Sequence, residues 1–136
     1  MGITAGKRLV SDIRHRVDTA YYCTQVGYPK TDDNNRRAVL ERMHGEKNRR
    51  ANMISVQVAV LTPLDPQPLI SVGRVHGQIT EQTIGEGGFG FDPVMWIPSL
   101  GKTMAQLEPE HKNQISHRGI SARAMVALIR ENWLGS

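Results

Sequence analysis

Apolar and polar positions alternate strictly from Ile54 to Val60: Ile54, Val56, Val58 and Val60 fall on one side, Ser55 and Gln57 on the other. A period of two over that length predicts a half-buried strand. Pro63, Asp65, Pro66 and Pro68 follow, a composition that neither a helix nor a central strand tolerates, so a loop is expected there. Residues 69–75 then read as a second strand, the hairpin partner of the first, and residues 78–84 as a weaker third. Residues 94–97 form a short apolar strand that ends at Pro98. Upstream, Val39, Leu40 and Met43 recur at helical spacing behind three candidate N-caps, Thr31, Asp32 and Asp33, with Gly45 placed to stop the helix. Thr103 can cap a short helix over residues 104–107, and Pro109 suits the first turn of another. A last helix is expected to start near Ser121, with a stripe of Ala122, Met125 or Val126, Ile129 and Trp133. Residues 1–20 show only weak periodicity and are assigned no element. The order of helix, antiparallel-looking strands and helices predicts an α/β architecture, a mixed sheet with flanking helices.

Length and composition narrow the class. A chain of 136 residues fits one domain with a real core, and 39% apolar against 22% charged residues is globular rather than disordered. No apolar run approaches the roughly 18–20 residues that span a bilayer, so no membrane partner is expected. Lys7, Arg8, Arg14 and Arg16 have no apolar stretch behind them, which argues against a secretory signal. Cys23 is the one cysteine, which excludes an internal disulfide and makes a reducing, cytoplasmic setting the expectation. The net charge of +4 is unevenly placed: residues 1–50 carry eleven Lys/Arg against six Asp/Glu, residues 51–136 six against seven. The peak at Lys47, Arg49 and Arg50 would suit phosphate or nucleic acid, although a solvated surface is the commoner reading of such a run.

Two segments carry candidate chemistry. Residues 85–92 read Gly-Glu-Gly-Gly-Phe-Gly-Phe-Asp, and residues 112–118 read Lys-Asn-Gln-Ile-Ser-His-Arg. Gly85, Gly87 and Gly90 satisfy G-x-G-x-x-G, but Pro93 opposes the helix that a dinucleotide fingerprint requires, and a kinase needs a far longer chain. Spacing alone favours a plain tight turn. Phe89 and Asp92 in the same bend favour a stacking platform for a flat base, a contact worth roughly 1–3 kcal/mol. In the second segment Ser116 is a natural N-cap, yet His117 and Arg118 are cations where a helix N-terminus disfavours them, by roughly 0.3–1 kcal/mol each. A partner offering negative charge or acceptor atoms would account for them. The five histidines show no zinc spacing, so no metal site is assigned.

With these residues in view, the chain resembles the inosine triphosphate pyrophosphatase family. Residues 85–93, then Gly101-Lys102-Thr103, Lys112 and Ser116-His117-Arg118-Gly119 match it in order and spacing, and the likeness runs upstream through Asn35 and Thr31-Asp32 to about Tyr21. The resemblance implies a two-lobed fold, a homodimer, magnesium as cofactor and hydrolysis of ITP, dITP or XTP to monophosphate and diphosphate. It implies that Phe89 stacks on the base with Gly90, Phe91 and Asp92 completing that wall. Lys112 would supply a cationic donor to the nucleotide, and His117 and Arg118 would address the purine edge. Donors there suit the C6 oxygen of hypoxanthine or xanthine and are left unpaired by the amino group of adenine.

The resemblance fails at the N-terminal end. Members open with a Ser/Thr-x-Asn-x-x-Lys phosphate element and later carry magnesium-binding and catalytic carboxylates. Here Thr4-Ala5-Gly6-Lys7 is a faint counterpart, and Asp12 and Asp18 are the carboxylates before Tyr21, neither in the family context. Residues 1–20 are therefore left as a divergent segment, with residues 21–136 as the C-terminal, base-recognising part of a pyrophosphatase domain and the catalytic residues unassigned. Magnesium bound by carboxylates, phosphate and water would lack its protein ligands. Two alternatives stand beside enzyme membership: a purine-nucleotide-binding module without catalysis and, more remotely, a basic nucleic-acid-binding protein using residues 30–50.

Overall fold

The computed structural model describes residues 2–11, 16–18, 29, 31–86 and 90–135, the first two stretches as backbone. In chain order the elements are β1 (Gly2–Ser11), β2 (Arg16–Asp18), α1 (Asp32–Arg42), β3 (Arg50–Val60), β4 (Leu69–Ile79), β5 (Met95–Ile97), β6 (Lys102–Thr103), α2 (Pro109–Ile115) and α3 (His117–Trp133). The described strands form one sheet in the order β2-β1-β3-β4-β5-β6, and every pairing among them is antiparallel. The expected combination of sheet and flanking helices is thus present. The segment left unassigned in sequence holds a ten-residue strand, β1, which pairs with β3 from Gly2↔Val60 to Ser11↔Ala51. Its two glycines and mixed polarity hide a strand whose backbone bonds are supplied by a neighbour about fifty residues away.

The hairpin forms as predicted, with Val56↔Val72 and Val58↔Ile70 in register. Its loop is tied by Asp65, whose carboxylate accepts the backbone N–H groups of Leu61 and Gln67, each at 2.9 Å. The covered face of β3, however, is the opposite of the one its alternation suggests. Ala51, Met53, Ser55 and Ala59 are buried, whereas Ile54, Val56, Val58 and Val60 are half-buried and Ile70 and Val72 exposed. The reason lies in α3. Its first turns sit on Gly73 and on Ser55 and Ser71, small residues that let a helix backbone approach the sheet closely. Residues 78–84 are not a separate strand. Gln78 and Ile79 end β4, and the chain then leaves the sheet, held by Thr80 N–H to Val94 O and Ile84 N–H to Pro93 O.

The apolar core gathers Val39 from α1 and Met43 from its C-cap, Met53 and Val75 from the hairpin, and Phe91, Met95 and Met104 from the chain that follows. Thr31 caps α1 by accepting the Asn34 N–H at 3.0 Å, and the helix ends just before Gly45 at φ +76°. Thr103 and Gln106 form a reciprocal capping box around a 3-10 turn, Met104–Gln106, where a short helix was expected.

Candidate functional site

Three separate stretches converge: the start of α1, residues 90–92, and the corner between α2 and α3. At the first contact Asp32 Oδ2 accepts the Gly90 N–H at 3.3 Å, while Arg36 Nη1 donates to the Gly90 carbonyl at 2.8 Å. Arg36 also pairs with Asp33 one turn back. Both backbone polar groups of Gly90 are therefore engaged inside the protein. Phe91 next to it is completely buried in the core. Its ring anchors the bend in the core cluster. Phe89 lies outside the described residues.

Asp92 opens a 3-10 turn, Asp92–Val94, and is itself buried. Its Oδ2 stands 2.5 Å from Nζ of Lys112, a side chain on α2 that is 23% exposed. Burying a carboxylate costs several kcal/mol unless an opposite charge and hydrogen bonds compensate, so the two residues are a coupled unit. The pair bolts the glycine bend to the α2–α3 corner, across twenty residues of sequence.

That corner is built on Ser116, which closes α2 and caps α3: its Oγ accepts the Gly119 N–H at 3.0 Å. The last helix therefore begins at His117, four residues before the expected start, because the serine read as an N-cap in sequence does cap it. A Cβ on Gly119 would lie 1.9 Å from the Asn113 carbonyl oxygen, so only glycine allows the two helices this turn. His117 is buried at 4% exposure, with its carbonyl against Gly73. One turn on, Ser121 Oγ donates to Ser55 Oγ at 3.0 Å and the Ser121 carbonyl accepts from Ser71 Oγ at 2.8 Å. The covered stripe of α3 is accordingly His117, Ser121 and Met125, while Ala122 and Val126 from the expected stripe are exposed.

Outside this corner opens a pocket of about 420 Å³, lined by Gln57, Lys112, Asn113, Ser116, Arg118 and Ala122 among others. Arg118 is exposed at its rim. Of the residues singled out in sequence, the structure brings Lys112 and Arg118 to one pocket, sets Asp92 behind Lys112, and places Phe91 and His117 in the interior. Gln57 was missed as a site residue. Its only signal was a polar residue in an apolar strand, which in isolation reads as a solvent-facing position.

A larger groove of about 850 Å³ lies elsewhere, between the end of α1 and the end of β4. It is lined by Arg49, which donates to the carbonyls of Met43, Ile79 and Thr80 and so staples that region together. Arg49 and Arg36, two cations of the basic stretch, thus have structural roles. Among the described residues no three His, Cys, Asp or Glu side chains gather as metal ligands. Magnesium does not fit the pocket, because its described lining offers the cations Lys112 and Arg118 and the amides Gln57 and Asn113 but no carboxylate. No helix of the described residues is long and apolar enough to cross a membrane.

The chain has known relatives. The model of the Ham1 family matches residues 16–128. The chain belongs to the Ham1 family. The dITP/XTP pyrophosphatase of Acidovorax sp. (strain JS42) is 60% identical over 117 residues, which cover 86% of this chain and 57% of the relative. That of Delftia acidovorans is 56% identical over 118 residues, 87% of this chain and 59% of the relative. Among solved structures, the Ham1 protein of Staphylococcus aureus superposes with a TM-score of 0.83 at 31% identity. A HAM1 protein from Coxiella burnetii gives 0.86 at 29%. Each covers 95% of this chain, which in turn covers 66% of each. The chain therefore spans 57–59% of these curated relatives' length.

Proposed function

We propose that this chain supplies the base-reading part of a pyrophosphatase that converts dITP, ITP and XTP to the monophosphate and diphosphate. The observation that carries the reading is the Asp92–Lys112 pair, which joins the glycine bend to the pocket holding Lys112 and Arg118. The names of the Acidovorax and Delftia relatives support the substrate class. In this reading the guanidinium of Arg118 donates to the purine C6 oxygen, and Phe89 stacks on the base. Lys112 and Asp92 hold that edge in register, with Gly90, Phe91 and His117 fixing the walls from within. An adenine amino group facing Arg118 leaves a donor unpaired, at a cost of about 1–3 kcal/mol, which corresponds to roughly 5–150-fold in affinity.

Catalytic carboxylates and magnesium belong to the same proposal but are not assigned to residues of this chain. A purine-binding module without turnover is the second reading. It is favoured by the engagement of Asp92 with Lys112, which leaves no buried carboxylate in the described site to activate water. A cytoplasmic homodimer completes the proposal; the dimer is supported by the apolar row of half-buried Val56 and Val58 and exposed Ile70 and Val72. The test is incubation of the chain with magnesium and ITP or ATP, measuring diphosphate release and, by calorimetry, binding. Release from ITP alone, lost in Arg118→Ala, establishes the enzyme. Binding of ITP without release establishes the module, and failure to bind ITP refutes both. A sizing column should show a dimer; a monomer at tens of micromolar would remove that part.

A further inference from the structure

One discrimination is left open by the donors of Arg118. The C6 oxygen is common to hypoxanthine, xanthine and guanine, so a donor that rejects adenine does not reject guanine. The three bases differ at C2, where hypoxanthine has hydrogen, xanthine an acceptor oxygen and guanine an amino donor. N1 beside it carries a hydrogen in each. A residue that separates guanine from the other two must therefore read the N1–C2 edge.

Gln57 is the one residue of β3 that lines the pocket, facing Lys112 and Arg118 contributed by α2 and α3. It stands half-buried on the helix-covered face of the sheet, between buried Ser55 and Ala59. The other carboxamide in the pocket, Asn113, is turned to the corner: its Oδ1 lies 3.1 Å from where a Gly119 Cβ would stand. We propose that Gln57 is a specificity-determining residue that excludes guanine from the base site; this rests on the purine-reading function proposed above. A carboxamide presents one acceptor and one donor side by side. Against N1–H and the C2 oxygen of xanthine both are matched. Against N1–H and C2–H of hypoxanthine the oxygen is matched and nothing opposes the amide nitrogen. Against N1–H and the 2-amino group of guanine, two donors meet one acceptor and one donor. Rotating the amide by a half-turn only changes which donor is stranded.

The test is calorimetric titration of the chain with the α,β-methylene analogues of XTP, ITP and GTP, in the parent, Gln57→Leu and Gln57→Glu. The parent should prefer the xanthine over the guanine analogue by about tenfold or more, the discrimination a mismatched polar contact produces. Gln57→Leu removes the stranded donor, and Gln57→Glu offers two acceptors to guanine, so both variants should bring the ratio towards unity. Unchanged ratios in both variants, with parental circular dichroism, overturn the proposal. So does a parent that binds ITP yet does not separate XTP from GTP, and in that case the purine-reading function stands. A parent that binds none of the three refutes that function and the role of Gln57 with it.

Discussion

Replacing Gly73 by alanine isolates the contact on which the candidate site is mounted. A Cβ built on Gly73 stands 2.0 Å from the His117 carbonyl oxygen, 2.7 Å from Ser121 N and 3.0 Å from His117 C. All three neighbours are backbone, so no side chain can swing away. Heavy atoms rest at about 3.5 Å, and relieving the overlap requires the first turns of α3 to withdraw by roughly 1 Å or more. That movement lengthens the Ser121–Ser55 and Ser71–Ser121 hydrogen bonds, now 3.0 and 2.8 Å, beyond useful range. Overpacking of this kind costs typically 1–3 kcal/mol, and each of the two lost hydrogen bonds about 1 kcal/mol, so a destabilisation of about 3–5 kcal/mol is expected. For a chain of this size that lowers Tm by roughly 10–15 °C. Urea and thermal unfolding followed by circular dichroism measure it. Gly45→Ala is the control: nothing lies within 4 Å of its Cβ position, and its φ of +76° alone should cost about 1 kcal/mol. A Gly73→Ala protein within about 0.5 kcal/mol of the parent would refute the close approach of α3 to the sheet.

Two further outcomes follow from charged groups. Lys112→Met removes the ammonium beside the buried Asp92 carboxylate and should destabilise the fold by about 2–4 kcal/mol, with Asp92→Asn in the same chain recovering part of the loss. A double-mutant cycle showing coupling below about 0.5 kcal/mol would contradict the pairing. The backbone N–H groups of Leu61 and Gln67 hold the Asp65 carboxyl below its ordinary value of 3.8, so its stabilising contribution is fully present above that value and fades as pH falls through the depressed one. The stability difference between the parent and Asp65→Ala should shrink on acidification, and an NMR titration midpoint for Asp65 at or above 3.8 would disprove the cause.

Elements that depend on neighbouring residues are legible along the chain. The Thr31 cap and the apolar spacing of Val39 and Met43 specify α1, and the alternation of β3 followed by a proline-rich break specifies the hairpin. The glycine bend and the Ser-His-Arg element were readable as well, because each is a local run of unusual residue types. The rest depends on long-range packing, because burial is a property of the pair of surfaces that meet and periodicity describes only one of them. The alternation of β3 could not say that α3 would settle on Ser55, Ser71 and Gly73 and leave the valines of the other face only half-buried. Nor could it say that Gln57 would line a pocket instead of facing solvent. The pairing of Asp92 with Lys112 and the clamp of Asp32 and Arg36 on Gly90 join residues twenty to fifty-eight positions apart, and only the folded sheet and its helices bring such charges within bonding distance.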